Sequence, residues 1–207
     1  MPQLESMDLF HRLHGQVHTG TVIGPHDAND ISYVDLILSG VSDEQMRVRP
    51  AAGVNTLAWL VWHTARAEDI AVNAMVAGGP QVLDAIWLGR LGVSSRDMGT
   101  GMTPAEVAHF SDRVNLEQLR AYRDAVAHRT QEVVRSIAPE GWEDGVDENL
   151  KRAVADGVFG ASVAPFMEAF WSGKPRKWFL WQPTGHAFYH VGEMACIRGL
   201  LGLPGFG

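Results

Sequence analysis

The sequence predicts an all-α protein, a four-helix bundle with additional short helices and long connections. Apolar residues recur at helical spacing in several long stretches, and few stretches alternate in the way that β-strands do. Long amphipathic helices of this kind bury their apolar faces against one another. With 207 residues, 46% of them hydrophobic, the chain is long enough to form a domain with a substantial core.

The first part of the chain combines a polar segment with two short helices. Residues 1–24 are polar and rich in histidine, and we expect them to form an N-terminal extension before a domain over residues 25–207. A helical stripe over residues 30–38 ends at a Ser-Gly pair. Ser42 and Gln45 then form a possible capping box for one short helical turn.

The middle of the chain contains two long helices separated by a long loop. Asn55 is a fair N-cap for a nearly all-apolar helix that runs to the Gly-Gly-Pro sequence at 78–80. Residues 80–102 are rich in glycine and lack a sustained period, which predicts a loop. Thr103, followed by Pro, Ala and Glu, is a strong helix start. Asn115 and Gln118 offer a second capping box, after which a long third helix ends before Pro139.

The last part of the chain is predicted to end in one further long helix. Aromatic residues are scattered among Gly and Pro over residues 139–175, which indicates short helices that pack across the domain. Thr184 is a candidate N-cap for a final helix from about Gly185 to Leu201, and a glycine follows the end of that helix.

Charge and cysteine content exclude several classes of protein. The formal net charge of −7 and the absence of basic runs argue against nucleic acid as a partner, since phosphate binding requires a basic surface. No apolar run approaches the length of a membrane span, and no signal peptide is recognisable. A lone cysteine, Cys196, which we expect to be buried, excludes an internal disulfide framework. We expect a cytoplasmic protein.

Three histidines form the candidate functional site. His186 and His190 are four residues apart on the predicted last helix, so that they lie on one helical face. His63 lies in the middle of the nearly all-apolar helix. Burying imidazoles without partners is costly, so their apolar surroundings favour a shared metal ion. Three neutral nitrogens leave coordination positions open, as in catalytic metal sites.

Glu193 is the candidate catalytic residue beside this site. It is three residues after His190 and therefore lies on the same helical face. It can act as a general base, or it can orient a histidine ligand from the side away from the metal. A glutamate on the helix surface is a third interpretation, and the sequence does not decide between them.

A second histidine group lies in the polar N-terminal segment. His11, His14 and His18 are also at helical spacing. We expect this segment to lie outside the core, where no rigid surroundings would hold a metal. The sequence therefore favours the other three histidines as the functional site.

Two further features are candidates for contacts with a cofactor or substrate. Trp62 lies beside the predicted ligand His63, although aromatic residues at such spacing more often form core. Within the loop over residues 80–102, Arg90, Arg96 and the GTG sequence at 99–101 are candidates for a lid that binds an anionic substrate. The alternative for this loop is a packed connection with solvated arginines.

Four segments carry a resemblance to a known family. They are NTLAWLVWHTARAED around His63, GTGMTPAEV at 99–107, LRAYRDAV at 119–126 and HAFYHVGEMACIRGLLGLPG at the end of the chain. With these segments the chain resembles the DinB-like superfamily of metalloenzymes over residues 30–137 and 184–205. Residues 145–183 do not align with familiar members.

The resemblance implies a four-helix bundle of the DinB-like type, often a homodimer, with a divalent metal held by three histidines. By motif position these are His63, His186 and His190. Zinc or nickel is the expected metal, with iron as an alternative. Relatives include thiol-dependent transferases and a maleylpyruvate isomerase that use mycothiol, bacillithiol or related low-molecular-weight thiols, which makes a small thiol an expected cofactor.

The leading functional hypothesis is a metal-dependent transferase that acts with a low-molecular-weight thiol on a small electrophilic substrate. The metal would lower the pKa of the thiol so that thiolate forms near neutral pH, and Glu193 would accept the proton. One alternative is a hydrolase that uses metal-bound water. A second alternative is a stress-related protein that is not an enzyme and retains a structural metal.

Overall fold

Helices make up the framework of the structure, a computed structural model that describes residues 2–18 and 32–205. They are α1 (Pro2–Val17), α2 (Tyr33–Leu38), α3 (Asp43–Arg47), α4 (Leu57–Asp69), α5 (Ala85–Leu91), α6 (Pro104–Arg113), α7 (Leu116–Ser136), α8 (Asp147–Ala155), α9 (Ala164–Trp171), α10 (Arg176–Phe179) and α11 (Ala187–Leu200). A π-helical segment, Ile70–Val76, prolongs α4, and another, Gln182–His186, leads into α11. No strand occurs in the described ranges, so the predicted all-α class is confirmed.

Helix α4 is the central element of the bundle. Every one of its residues except Thr64 is buried. A helix that is apolar on all sides belongs in the interior, and α4 packs against α7, α11 and the Gln182–His186 segment. This central position places His63 inside the protein, within reach of the C-terminal histidines.

The N-terminal segment contributes a helix to the bundle. Helix α1 packs against α2, α11 and the Gln182–His186 segment, and it buries Phe10, His14, Val17 and His18. The expectation that this segment lies outside the core is therefore wrong for these residues. Its polar composition hid this role, because the buried histidines are paired with polar groups on other helices. The predicted domain boundary after residue 24 falls outside the described residues.

The helix starts agree with the sequence signals at two capping boxes and differ at two other positions. The boxes at Ser42 and Thr103 both form. Helix α4 begins one residue later than predicted, since Thr56 and not Asn55 accepts the capping bond from the backbone of Trp59. Thr184 does not cap the last helix, because its hydroxyl donates to the carbonyl of Leu180 within a helix that has already begun.

The predicted loop over residues 80–102 contains a helix, so the prediction is wrong for α5. Asp84 caps its first turn and Gly92 ends it in the left-handed conformation, with φ of 69°. These two signals were present in the sequence, but only seven residues separate them. The rest of the segment is irregular and lies against α4.

The aromatic region after α7 forms the predicted short helices. Helices α8 and α10 pack on the Ile70–Val76 segment. Helix α9 packs on α8, and a 3₁₀ turn, Pro139–Glu143, packs on α10. They close a second hydrophobic cluster that includes Trp142, Phe159 and Trp171. This cluster extends the core beyond the four long helices. Among the described residues, no helix has both the length and the apolar character that crossing a bilayer requires.

Candidate metal centre

The structure brings the three predicted ligands to one point. The Nε2 atom of His186 lies 3.2 Å from Nε2 of His63 and 3.2 Å from Nε2 of His190. His63 comes from α4, His186 ends the Gln182–His186 segment, and His190 lies one turn later in α11. A zinc–nitrogen distance of ~2.0–2.1 Å converts this spacing into an angle of about 100° at a shared ion, which suits a metal site.

Hydrogen bonds behind two of the rings aim their nitrogen lone pairs at this point. The Nδ1–H of His63 donates to the carbonyl oxygen of Met98 at 2.6 Å. The Nδ1–H of His190 donates to Oε2 of Glu193 at 2.8 Å. In each neutral ring the proton is therefore on Nδ1, and Nε2 is free to bind a metal.

Burial keeps His63 and His186 neutral at pH 7. It lowers the pKa of His63 to about 4, although the bond to Met98 opposes the shift. Burial, together with the neighbouring His63 and His190, lowers the pKa of His186 to about 3. The three Nε2 lone pairs repel one another when they point to the same place. A proton shared by two of the nitrogens would leave the third without a partner. The donor set therefore fits a divalent cation.

The π-helical segment before α11 sets the position of His186. Its wider turn follows Trp181, whose ring lies 5.7 Å from the ring of His186. Gly185 allows this arrangement, because a Cβ atom at that position would lie 2.3 Å from Nε1 of Trp181. Single π-helical turns are often found at functional sites, where they re-aim side chains.

Trp59 fixes the ring of His63 from one side. The two rings stack in parallel with centroids 4.6 Å apart. Gly99, with φ of +80°, lies against the indole, and a Cβ there would be 2.8 Å from its Nε1. The first glycine of the GTG sequence is thus required by close packing beside the metal centre, and the next residue back, Met98, binds His63.

Glu193 is held in place by both of its oxygens. Oε2 accepts from His190, and Oε1 accepts from Nδ2 of Asn55 at 3.0 Å. These hydrogen bonds, His190 first, lower the pKa of Glu193, so that it stays ionised near neutral pH. Of the three interpretations open from the sequence, this geometry matches a carboxylate that orients a histidine ligand.

The three residues predicted to contact a cofactor lie in different surroundings. Trp62 is fully buried and packs against Phe110 and Tyr122. Arg90 lies over the ring of Trp87 at 5.3 Å. Arg96 lines a cleft of about 610 Å³ beside α8, and its carbonyl oxygen accepts a bond from the buried Arg66. None of these contacts involves the three imidazoles, and a cofactor role for these residues stays a prediction.

A larger cleft of about 970 Å³ is lined by residues that adjoin, in sequence, a segment in contact with the metal centre. Asp97, Thr100, Gly101 and Met102 line it, and these residues flank the Met98–Gly99 pair that touches His63 and Trp59. Residues of α5, α6 and the segment over residues 160–162 form its other walls. Residues 97–102 therefore contribute both to the surroundings of the metal centre and to the wall of the cleft.

Sequence reasoning missed several groups around the centre. The sequence predicts Asn55 as a helix cap, and it predicts neither the stacking of Trp59 on His63 nor the role of the Met98 carbonyl. Backbone acceptors leave no signal in a sequence. The sequence contains a weak signal for the role of Asn55. Thr56 beside it can also cap the helix, which leaves the side-chain amide of Asn55 free for another partner.

Comparison with known proteins agrees with the fold. The family model of the DinB superfamily matches residues 31–194. A solved structure, of a conserved protein from Enterococcus faecalis, superposes with a TM-score of 0.63 at 17% identity, over 93% of this chain and 95% of that chain. At this identity the likeness shows the fold alone. No curated protein matches the sequence.

Proposed function

The chain belongs to the DinB superfamily, and we propose that it is a metal-dependent transferase that acts with a low-molecular-weight thiol on a small electrophilic substrate. Zinc or nickel is the proposed metal. One observation carries the proposal. The Nε2 atoms of three imidazoles converge, with that of His186 3.2 Å from each of the other two, and this group includes no carboxylate among the residues that the structure describes.

A metal held by three imidazoles keeps positions for further ligands and retains its full positive charge. When bound, it would lower the pKa of a thiol and so supply thiolate near neutral pH. The residues of this chain contribute orientation. Met98 and Glu193 hold the two rings from behind, and Trp59 stacks on His63.

Glu193 is proposed as a positioning residue. Both of its oxygens are engaged, by His190 and by Asn55, and its contact with the site runs through Nδ1 of His190. An ionised carboxylate there strengthens the histidine as a ligand. With both oxygens of Glu193 engaged, the proton of a bound thiol, or of bound water in a hydrolase, would pass to solvent and not to Glu193. The preference for the transferase therefore rests on the family resemblance, and dependence on added thiol separates the two reactions.

The 970 Å³ cleft is the proposed binding site for the substrate or for the body of the thiol. Arg113 on α6 lines it and offers positive charge, while His109, Asp97 and Ser95 offer hydrogen-bonding groups. A cleft of this size and mixed polarity suits a small molecule. We further propose a homodimer, on the family resemblance.

The test measures metal-dependent turnover of a generic electrophile with a panel of small thiols, including mycothiol and bacillithiol. We expect a rate that needs both metal and thiol, and that is lost in His190→Ala. His128→Ala, which alters an exposed histidine on α7, is the matched control and keeps the full rate. A metal-dependent rate that needs no thiol would instead support the hydrolase. No metal-dependent rate with any thiol would contradict the proposal.

A further inference from the structure

A second buried group of metal-binding side chains lies where α1 approaches α4. His14 and His18 are four residues apart on one face of the N-terminal segment. Their Nε2 atoms each lie 2.8 Å from a different oxygen of Glu68. All three residues are buried, with 0%, 4% and 2% of their surface exposed.

Hydrogen bonds among these residues leave the cluster incomplete. Nδ1 of His18 has no hydrogen-bond partner among the described residues, and neither has Oε1 of Gln131, which lies beside His14. Buried polar atoms without partners are costly and uncommon. With no partner on Nδ1, the tautomer of His18 is not fixed, and its proton can lie on Nδ1 when Nε2 binds a metal.

We propose that His14, His18 and Glu68 form a second metal site, which binds a divalent transition metal such as Zn²⁺ as a structural ion. Two imidazoles and one glutamate are an established zinc donor set. Their candidate ligand atoms all lie within 4.8 Å of one another. Two ligands of one tetrahedral zinc at ~2.0–2.2 Å are roughly 3.4 Å apart, so the 2.8 Å nitrogen–oxygen contacts would lengthen by about 0.6 Å when the ion binds.

Gln131 can support the tautomer that metal binding requires. Its Nε2 lies 2.7 Å from Nδ1 of His14. Rotating the terminal amide by half a turn brings the unpartnered Oε1 to that position, where it accepts a bond from Nδ1–H. The lone pair on Nε2 of His14 then faces Glu68, as a ligand needs. The same rotation satisfies Oε1 of Gln131.

The surroundings can accommodate the ion and a further ligand. A cavity of about 10 Å³ lies beside His18 and Glu68, which is close to the space that one water molecule needs. Arg123 also lines this cavity, and its charge is offset by Asp35 at 3.7 Å and by the carboxylate of Glu68. Burial of all three side chains indicates a structural ion that ties α1 to α4. The proposal does not depend on the proposed transferase activity.

The experiment counts metal ions per chain with Zn²⁺ and Co²⁺ as probes. The triple variant His63→Ala/His186→Ala/His190→Ala is loaded, gel-filtered and analysed by inductively coupled plasma mass spectrometry. We expect about one ion per chain in this variant and about two in the wild type. Adding Glu68→Gln to the triple variant removes the remaining ion.

Several readouts keep the proposal open to contradiction. His18→Gln, at the end of α1, replaces Glu68→Gln if that variant fails to fold by circular dichroism. The Co²⁺ absorption spectrum of the triple variant must change when Glu68 or His18 is altered, and must not change in the control Glu132→Gln, an exposed residue on α7. One ion per wild-type chain and none in the triple variant would overturn the second site, as would an ion that survives Glu68→Gln.

Discussion

The two histidine clusters differ in what their Nε2 atoms face. In the first cluster, of His63, His186 and His190, the nitrogens face one another, and the carboxylate of Glu193 lies behind one ring. In the second, the nitrogens of His14 and His18 face Glu68 directly. Three lone pairs cannot satisfy one another with protons, whereas a carboxylate can accept from two imidazoles.

This difference determines what each cluster does without metal. The first cluster is satisfied only by a cation, so its side chains should dominate metal affinity. The second is held by charge-assisted hydrogen bonds, so its side chains should also dominate the stability of the metal-free fold. Four changes test this contrast, from the largest expected effect to the smallest.

Removing one imidazole of the first cluster should have the largest effect. We expect His63→Ala or His190→Ala to lower metal affinity by more than about a hundredfold, beyond the range for groups that only orient a ligand. Chelator competition measures the affinity, with His128→Ala on the surface of α7 as control. An unchanged affinity in either variant would show that the histidines do not share an ion.

Removing the carboxylate of the second cluster should mainly affect folding. We expect Glu68→Ala to lower the free energy of unfolding of the metal-free protein by about 3 kcal/mol, because two buried imidazoles lose their acceptor. Urea unfolding measures this value. Glu132→Ala, which breaks an exposed pair with Arg129, should cost less than about 0.5 kcal/mol. If Glu68→Ala lowered the free energy of unfolding no more than Glu132→Ala does, the second cluster would not stabilise the metal-free fold, and the contrast between the clusters would be refuted.

Removing the carboxylate behind the first cluster should have an intermediate effect. We expect Glu193→Ala to weaken metal binding by about 10–100-fold, because His190 loses its orienting partner. Asn55→Ala acts through Glu193 and should have a smaller effect in the same direction. Titration calorimetry measures both. A larger loss of metal affinity in Asn55→Ala than in Glu193→Ala would contradict this account, because it would mean that Asn55 acts on the metal or its ligands directly.

Acidification should have the smallest effect, a modest loss of stability of the metal-free protein for each histidine that titrates. Burial holds the pKa of His63 at about 4 and that of His186 at about 3 in the folded state, while an unfolded histidine titrates near ~6.5. Below about pH 6.5 the unfolded chain therefore binds more protons than the folded protein. The free energy of unfolding falls as the pH decreases from that value, and these two histidines do not change it at higher pH.

Each of these histidines should cost about 1 kcal/mol of stability between pH 7.5 and pH 5.5. Urea unfolding in the presence of a chelator measures the difference between these two conditions. His186→Gln, which removes one titrating group, should lose about 1 kcal/mol less than the wild type over that interval. An identical loss in the two proteins would show that His186 titrates normally in the folded state.

Much of the first cluster was predictable because its signals are local. His186 and His190 are four apart on an apolar helix, and His63 lies on a helix that is apolar all round. Helices of that kind must be buried, so their polar residues need partners inside. The partners themselves were not predictable. Asn55 and Glu193 are 138 residues apart, and the acceptor for His63 is a backbone carbonyl.

The second cluster was missed because its polarity was taken as a sign of exposure. His14 and His18 lie in a segment with a polar composition, and Glu68 is part of the charged end of α4. In the structure each of these groups pairs with another across 50 to 54 residues. Cys196 shows the opposite error, since it was expected to be buried and is exposed on α11. A helix of mixed composition does not reveal which face it buries.

Anomalous diffraction from crystals of the zinc-loaded protein, collected above and below the zinc absorption edge, addresses the main point most directly. We expect a strong peak between the Nε2 atoms of His63, His186 and His190, with about 2 Å to each nitrogen. Fully loaded crystals with no zinc peak between these three rings would contradict this account of the protein.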